Sequence, residues 1–600
     1  VDFIKRGAYA WEPMIQGMAS ERNLVTIDGM RIYAACTDKM DPITSYVEIS
    51  NLSSASIETG QQGAENGSTI GGSIDLKRQK SDFGDEEWKA SLQTGVESVN
   101  QQKIVGSELS YKSKNLFADI DLMYRDAENY DAGGGQEVLY SQFTKYNLSV
   151  VSGFKWNDDE RIEASIIFDE ARDVGYPALP MDVSLARAVI TSLEYSIDSK
   201  SQYINQWKSK LYYNSITHVM DDSKRPDVPI RMDMPGWSKT VGMYSKLNGS
   251  FKNHKWKASV NSHYNNSLAE MTMFPENPNE NDMFMLTWPD VGTLYAGVFV
   301  EDEMKISQKL SLNFTVGMGI HSNTVESESG LQNLKIFYPD MEATNTRFLI
   351  NTASHLNYKT KHWNHVIGMG YGERAPSVSE AYGIFLFNSF DAFDYIGNPK
   401  MNNEKSLEFN ASTGYKNEDF SIKLNSSFYH ISDYIIGEPD PNIPPMNIGI
   451  NGVKVYTQLD YARLWSSDLS IKYRFLNDFE IKTTAIYRRG RSHTNENLPL
   501  IQPFTVEGSL RYQKNRFYTE FSYISAQRQR NFSPAFGENL TPAYDIYNIA
   551  FSQILNFSNN KMILKAGIEN LMDKNYSTYA DWNNIPQLGR NIYANVIYTF

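Results

Sequence analysis

The cysteine at position 36 is the only one in the sequence, and a methionine follows it four positions later at Met40. A thiolate and a thioether are both soft sulfur ligands, and together they favour Cu(I) over hard cations such as Ca²⁺ or Mg²⁺. A lone cysteine is also a common small residue of a buried core, so packing is the alternative interpretation of Cys36. One cysteine excludes an intrachain disulfide framework and the paired-cysteine zinc and redox motifs.

The composition restricts the kind of protein that could carry such a site. No segment of the 600 residues approaches the about 18 consecutive apolar residues that a membrane helix needs. Aromatic residues make up 13% of the chain, as expected if aromatic girdles surround a membrane barrel. The net charge of −14 argues against a nucleic-acid partner. Motifs of metalloproteases, serine hydrolases and P-loop enzymes are absent from the sequence, so we expect no enzymatic activity.

Alternating apolar and polar residues recur from about Trp88 to the end of the chain. Alternation over about 10 residues is typical of transmembrane β-strands, whose side chains face lipid and lumen in turn. Clear examples are the runs around 119–125, 420–428, 479–487 and 592–600, the last of which ends in an aromatic residue. The sequence therefore predicts a transmembrane barrel over residues 81–600. The polar segments 218–240, 266–290 and 430–456 are predicted to be external loops.

Residues 1–80 have a different pattern, with short strand-like runs separated by glycine-rich turns. The run 24–27 leads into Asp28-Gly29, a strong hairpin signal, and a second short run follows it. A glycine-rich stretch at 60–72 precedes another short strand. We therefore predict a small mixed α/β domain over residues 1–80.

Over its whole length the chain resembles the TonB-dependent outer-membrane receptors. The N-terminal part of the resemblance rests on ERNLVTIDGMRI and IETGQQGAENGSTIGGSIDL, and the barrel part on GERAPSVSEAYG, NPKMNNEKSLEFNASTGY and GIENLMDKNYSTYADWNNIPQLGRNIYANVIYTF. The resemblance implies an all-β barrel of about 22 antiparallel strands whose lumen holds the N-terminal domain as a plug. The sequence starts inside what resembles the first half of the plug, so we expect any TonB box to precede Val1. The sequence contains no signal peptide, as expected for a mature or trimmed chain.

Within that family, the segment ACTDKMDPITSY is similar to the plug of copper receptors of the OprC and NosA type. Those receptors carry Cys-x-x-x-Met-Asp-Pro in the plug and complete the site with His-x-Met from the barrel. His218 and Met220 match the second half, so the resemblance implies the ligands Cys36, Met40, His218 and Met220. Residues i and i+2 share one face of a strand, which lets His218 and Met220 approach one ion together. The alternatives are that His218 lines the lumen with water as its partner and that Met220 packs within a loop.

Methionines are concentrated in one part of the sequence. Eight of the 22 fall between positions 220 and 285: Met220, Met232, Met234, Met243, Met271, Met273, Met283 and Met285. They could serve as low-affinity stepping points that feed the main site, or they could fill irregular space, since methionine is an adaptable side chain.

The predicted function is a copper receptor and importer in the outer membrane of a Gram-negative bacterium, transporting Cu(I) or Cu(II). The expected partners are the TonB–ExbB–ExbD complex, membrane lipids, lipopolysaccharide and a surface lipoprotein, with the receptor itself a monomer. The alternatives are a siderophore, haem or cobalamin transporter of the same fold, and a non-transporting adhesin or phage-binding barrel.

Overall fold

The computed structural model is a closed antiparallel barrel of 22 strands with the N-terminal residues inside it. The structure describes residues 1–600 except 6, 8, 10, 200, 202, 229, 278, 448 and 559. Among the described residues, no helix has the length and apolar character needed to cross a membrane.

The N-terminal residues form two small sheets joined by short 3₁₀ segments. One is a hairpin, and the other has four strands in the order β4-β3-β6-β5, with β3 and β6 parallel. The strands are β1 (Asp2–Lys5), β2 (Trp11–Met14), β3 (Asn23–Ile27), β4 (Met30–Arg31), β5 (Leu52–Thr59) and β6 (Gly72–Arg78). Asp28 and Gly29 both have positive φ, which confirms the predicted tight hairpin between β3 and β4. The 3₁₀ segments are Ser20–Arg22, Ile43–Tyr46, Ile49–Asn51 and Gly60–Asn66.

The barrel begins at Glu87 and closes when its last strand pairs with its first. Its strands are β7 (Glu87–Glu97), β8 (Lys103–Lys112), β9 (Leu116–Ala127), β12 (Phe143–Lys155), β13 (Glu160–Val174), β14 (Asp182–Asp198), β15 (Gln206–Asp221), β16 (Arg231–Phe251), β17 (His254–Phe274), β18 (Met283–Lys305), β19 (Leu310–Val325), β20 (Thr344–Lys359), β21 (Trp363–Arg374), β24 (Glu404–Lys416), β25 (Phe420–Pro439), β26 (Gly452–Phe475), β27 (Phe479–Ser492), β28 (Thr505–Lys514), β29 (Phe517–Ala526), β30 (Tyr544–Phe557), β31 (Asn560–Glu569) and β32 (Asn591–Thr599). The Phe600 N–H donates to the Ala90 carbonyl across the closing seam.

The remaining elements lie in the connections between barrel strands. They are the hairpin of β10 (Tyr130–Ala132) and β11 (Gln136–Val138), the hairpin of β22 (Leu386–Asn388) and β23 (Phe393–Ile396), the helices α1 (Glu328–Phe337) and α2 (Val378–Tyr382), and the 3₁₀ segments Pro534–Phe536 and Trp582–Asn584. Strand β23 pairs in parallel with β26, which fastens the connection 375–403 to the barrel.

The alternation seen in the sequence corresponds to the two faces of the barrel wall. On β7, Trp88, Leu92 and Val96 are exposed on the outer face, whereas Ser91 is buried toward the lumen. An outer apolar surface of this kind is what a lipid environment requires. The alternation therefore correctly predicted the barrel strands.

The two ends of the barrel differ in their connections. At one end the turns are short, as at 252–253 between β16 and β17, and at the other they are long, as at 375–403. We call the second end the loop end; β15 runs toward it. The prediction that 218–240, 266–290 and 430–456 are loops was wrong for most of their residues, because β15 to β18, β25 and β26 extend into these segments. Outside a bilayer a strand meets water or other loops on both faces, so the alternating pattern is lost.

The N-terminal sheet shares its core with the barrel wall. Ile27, Met30 and Ile74 belong to one buried cluster with Ile190 and Ile216 of the barrel. Because this core is completed by the wall, the N-terminal residues are a plug that occupies the lumen.

A buried charge network also joins plug and barrel. Arg22 of the plug contacts Glu404 at 2.5 Å, Arg374 contacts the other oxygen of Glu404, and Arg374 also bonds Glu380 at 2.7 Å. The Arg22 guanidinium lies over the ring of Tyr434, 4.0 Å from its centroid. Two arginines thus balance two carboxylates within a region closed to water.

Replacing Glu404 with glutamine should loosen the plug. The change leaves Arg22 and Arg374 buried with one carboxylate between them, and breaking a buried pair costs about 3–5 kcal/mol. Faster hydrogen–deuterium exchange in β3 and β6 would report the effect. The matched control is Lys405→Ala, which breaks a partly exposed pair with Asp433 worth about 0–1 kcal/mol. Equal exchange in the two variants would contradict this account.

Candidate metal centre

A tight turn in the plug brings the Cys36 sulfur back onto Met40. The Lys39 N–H donates to the Cys36 carbonyl at 3.3 Å, and Lys39 has a positive φ of 57°. The Met40 N–H then donates a hydrogen bond to the Cys36 sulfur, with a nitrogen–sulfur distance of 3.4 Å. Pro42 follows in extended conformation and starts the 3₁₀ segment that anchors the turn. On the barrel side, the Tyr176 hydroxyl donates to the Met40 carbonyl at 2.7 Å.

The barrel contributes His218 and Met220 from the end of β15 that approaches the loop end. Both side chains are buried, as the alternation along β15 requires for two residues on one face. His218 lies opposite Gly236 of β16 in the strand register. A Cβ atom on Gly236 would be 2.2 Å from the carbonyl oxygen of Ala35, so glycine permits the plug to lie directly against the wall beside Cys36.

The plug turn and the barrel wall meet in one buried place. Ligand atoms of Cys36, Asp41 and His218 all lie within 4.8 Å of one another. Cys36, Met40 and Met220 belong to a single buried cluster. All four residues implied by the resemblance therefore lie in this part of the molecule, with the Cys36 sulfur within 4.8 Å of a His218 ring nitrogen.

Asp41 was not predicted as part of the site. Its Oδ2 accepts a hydrogen bond of 3.0 Å from the Tyr46 hydroxyl, and its Oδ1 lies 3.4 Å from Nδ1 of His218. The only feature of the sequence that could have pointed to Asp41 is its position between Met40 and Pro42. A single aspartate does not indicate which residue it will face in the folded protein. The structure thus adds an oxygen to the sulfur and nitrogen atoms expected here.

The surroundings of Cys36 change the acidity of its thiol. Burial raises the pKa of the Cys36 thiol; the nearby His218 imidazole opposes that shift, and Asp38 and Asp41 add to it. A metal binds the thiolate form of cysteine, so any metal binding by Cys36 is coupled to loss of the thiol proton.

Several methionines share the buried cluster that contains Cys36, Met40 and Met220. Met234, Met271, Met273 and Met285 are buried in the same cluster as Met220, and Met232 packs against it. Met243 and Met283 are instead exposed, and Met14 and Met18 belong to other clusters. The concentration of methionine in the sequence therefore corresponds, for six of its eight members, to one sulfur-rich region around the site.

The plugged barrel defines the class of protein. The family described as TonB dependent receptor-like, beta-barrel matches residues 113–571. The chain belongs to the TonB-dependent receptor family. Membership implies a Gram-negative outer membrane and coupling to TonB–ExbB–ExbD, and the family is one of receptors and transporters rather than enzymes.

Solved structures of individual receptors share the whole fold. The copper transporter OprC superposes with a TM-score of 0.88 at 17% identity, covering 100% of this chain and 93% of its own. The FrpB iron transporter from Neisseria meningitidis (F3-3 variant) has a TM-score of 0.75 at 15% identity, with 100% and 95% covered. The Serratia marcescens hemophore receptor HasR, a double mutant in complex with HasA and heme, has 0.75 at 14%, with 98% and 92% covered. No curated protein sequence matches the chain.

Proposed function

We propose that the chain is a TonB-dependent importer of copper. The observation that carries the proposal is the closeness of the plug thiol of Cys36 to the barrel imidazole of His218, next to a buried cluster that contains Cys36, Met40 and Met220. The copper transporter OprC, with its TM-score of 0.88, supports the same conclusion. Receptors of iron and haem have the same fold, so the ligand set, not the barrel, distinguishes copper from those substrates.

The ligand chemistry favours Cu(I). Cys36 offers a thiolate once deprotonated, Met40 and Met220 offer thioethers, and His218 offers an imidazole nitrogen. Thioethers select soft Cu(I), whereas Fe³⁺, Ca²⁺ and Mg²⁺ require mainly oxygen donors. Cu(II) would rely more on His218 and the thiolate. The buried methionines between the loop end and the site can hold Cu(I) weakly as it approaches.

Sharing the ligands between plug and barrel provides a means of release. When TonB–ExbB–ExbD pulls on the plug, Cys36 and Met40 move away from His218 and Met220. The ion then loses half of its donors, and its affinity falls. Such a difference in affinity between two states is what coupling of transport to plug movement requires.

We further propose the division of labour between the parts of the receptor. Residues 1–80 act as the movable plug and residues 81–600 as the fixed barrel. The barrel functions as a monomer surrounded by lipid and lipopolysaccharide, and a surface lipoprotein could deliver copper to the loop end.

Elemental analysis of the purified receptor tests the proposal. After loading under reducing conditions and removal of free metal, we expect one copper ion per chain and no iron above background. Loading the same preparation with Zn²⁺ tests selectivity, since zinc shares the thiolate and imidazole preference but gains little from thioethers. Purification with a coloured organic ligand and no retained copper would overturn the proposal in favour of a siderophore or haem transporter.

The contact between Gly236 and Ala35 offers a test that changes no proposed ligand. In Gly236→Ala the new methyl group would overlap the Ala35 carbonyl and push the plug turn off the wall. Overpacking typically costs about 1–3 kcal/mol, which corresponds to about a 5- to 150-fold loss of copper affinity. Isothermal titration calorimetry measures this change in copper affinity. Gly414→Ala is the control, because its Cβ has only ordinary contacts, the nearest at 3.5 Å. Unchanged affinity in Gly236→Ala would show that the plug need not approach the wall here.

A further inference from the structure

The carboxylate of Asp41 is placed between the plug and His218. Asp41 and His218 are both almost completely buried. Oδ2 of Asp41 is held by the Tyr46 hydroxyl, and Oδ1 has no hydrogen bond within normal distance but lies 3.4 Å from the Nδ1 atom of His218. A buried carboxylate oxygen is seldom left without a donor, because its desolvation is expensive.

The imidazole of His218, like Oδ1 of Asp41, lacks a hydrogen-bond partner within the described part of the chain. Neither ring nitrogen of His218 has a hydrogen-bond partner of normal length among the residues that the structure describes. A ligating histidine usually donates its second ring N–H to a carboxylate, which fixes the tautomer and the ring orientation. The 3.4 Å separation is about 0.5 Å longer than an ordinary hydrogen bond, so only a small movement of the ring or the carboxylate is needed to form one.

We propose that Asp41 is a positioning residue that accepts the Nδ1–H of His218 and so presents Nε2 of that histidine to copper. This inference rests on the proposed copper function. Tyr46 fixes the carboxylate, the carboxylate fixes the imidazole, and the imidazole binds the ion. Both the orienting group and two ligands then belong to the plug, so plug movement removes two donors and releases the histidine ring at once.

Direct ligation by Asp41 is the competing role, and the contacts favour positioning. One carboxylate oxygen is taken by Tyr46 and the other faces Nδ1. A soft ion such as Cu(I) gains more from the sulfurs and the imidazole than from a hard carboxylate oxygen.

The test compares four variants with the full-length wild-type receptor, using Cu(I) titration and copper K-edge X-ray absorption. Asp41→Ala should weaken Cu(I) binding by about 10- to 100-fold, the usual effect of losing an outer partner of a metal ligand. Asp41→Asn keeps an acceptor oxygen and should recover part of the loss. Tyr46→Phe removes only the hydroxyl that fixes the carboxylate and should give a smaller loss. Tyr33→Phe is the matched control, because that plug hydroxyl contacts His263 rather than His218.

The absorption spectrum separates positioning from a general structural role. In Asp41→Ala the imidazole scattering should weaken or disappear while the sulfur shell remains. The proposal is overturned if Asp41→Ala binds Cu(I) with wild-type affinity and an unchanged imidazole signal. It is equally overturned if an oxygen ligand disappears while the imidazole stays. Absence of copper binding by the wild type would overturn the copper function as well, whereas wild-type binding with no effect of Asp41→Ala would overturn the positioning role alone.

Discussion

Replacement of Cys36 by alanine is expected to abolish tight copper binding and to leave the barrel folded. The change removes the thiolate, the strongest donor of the set, and the loss should exceed the about 10- to 100-fold that outer partners contribute. Met40→Ala should weaken binding by less than Cys36→Ala does, because a thioether is a weaker ligand than a thiolate. Competition with a Cu(I) chelator measures the copper affinity of each variant. A heat-dependent change in migration during gel electrophoresis shows that the barrel is folded.

Packing must be separated from ligation in this experiment. Met40 is completely buried, so its replacement by alanine also creates a cavity. Met40→Leu keeps the volume and removes only the sulfur, and volume-conserving changes usually cost less than about 1.5 kcal/mol in stability. We expect Met40→Leu to lose copper affinity as Met40→Ala does while retaining more stability. If Cys36→Ala still retained one copper per chain, the site assignment would fail.

Locking the plug to the barrel is expected to stop uptake without affecting binding. Gln61 lies in the plug, and a Cβ atom built on Gly370 of β21 lies 3.2 Å from the Cβ of Gln61. Disulfides span about 3.5–4.5 Å between Cβ atoms, so the pair Gln61→Cys and Gly370→Cys needs only a small adjustment. The oxidised double variant should bind copper normally and import none into cells, because its plug cannot separate the two halves of the site.

Reduction provides the internal control for the lock. Breaking the new disulfide should restore uptake in the same preparation, and the two single-cysteine variants should transport whether oxidised or reduced. Cys36 is buried and should not exchange with the new pair. Uptake at the wild-type rate by the fully cross-linked receptor would mean that copper is released without movement of the plug at this contact.

Much of the fold could be predicted because it depends on a local pattern. Alternation along a strand follows from lipid on one side and lumen on the other, and each strand shows it independently. The turn from Asp28 to Gly29 is equally local. The lengths of β16, β17 and β18 were not predictable in this way, because their ends extend past the apolar band. The parallel pairing of β23 with β26 joins segments far apart in sequence and leaves no local signal.

The residues of the candidate site also fall into two groups, those that the sequence could identify and one that it could not. Cys36 and Met40 are distinctive by residue type alone, whereas His218 and Met220 gained meaning only from the resemblance to copper receptors. Asp41 could not be assigned, because its significance depends on facing His218 from the other side of the plug–barrel boundary. Contacts across that boundary depend on how the plug is seated, which no short sequence pattern encodes.

Anomalous diffraction at the copper edge from copper-loaded crystals tests the central claim most directly. We predict one strong peak bounded by Cys36, Met40, His218 and Met220, about 2.0–2.4 Å from the Cys36 sulfur and a His218 ring nitrogen, by analogy with zinc bonds to the same atoms. The thioether sulfurs should lie at equal or longer distances. A peak that contacts only plug residues, or one that lies away from Cys36, would contradict a site shared between plug and barrel.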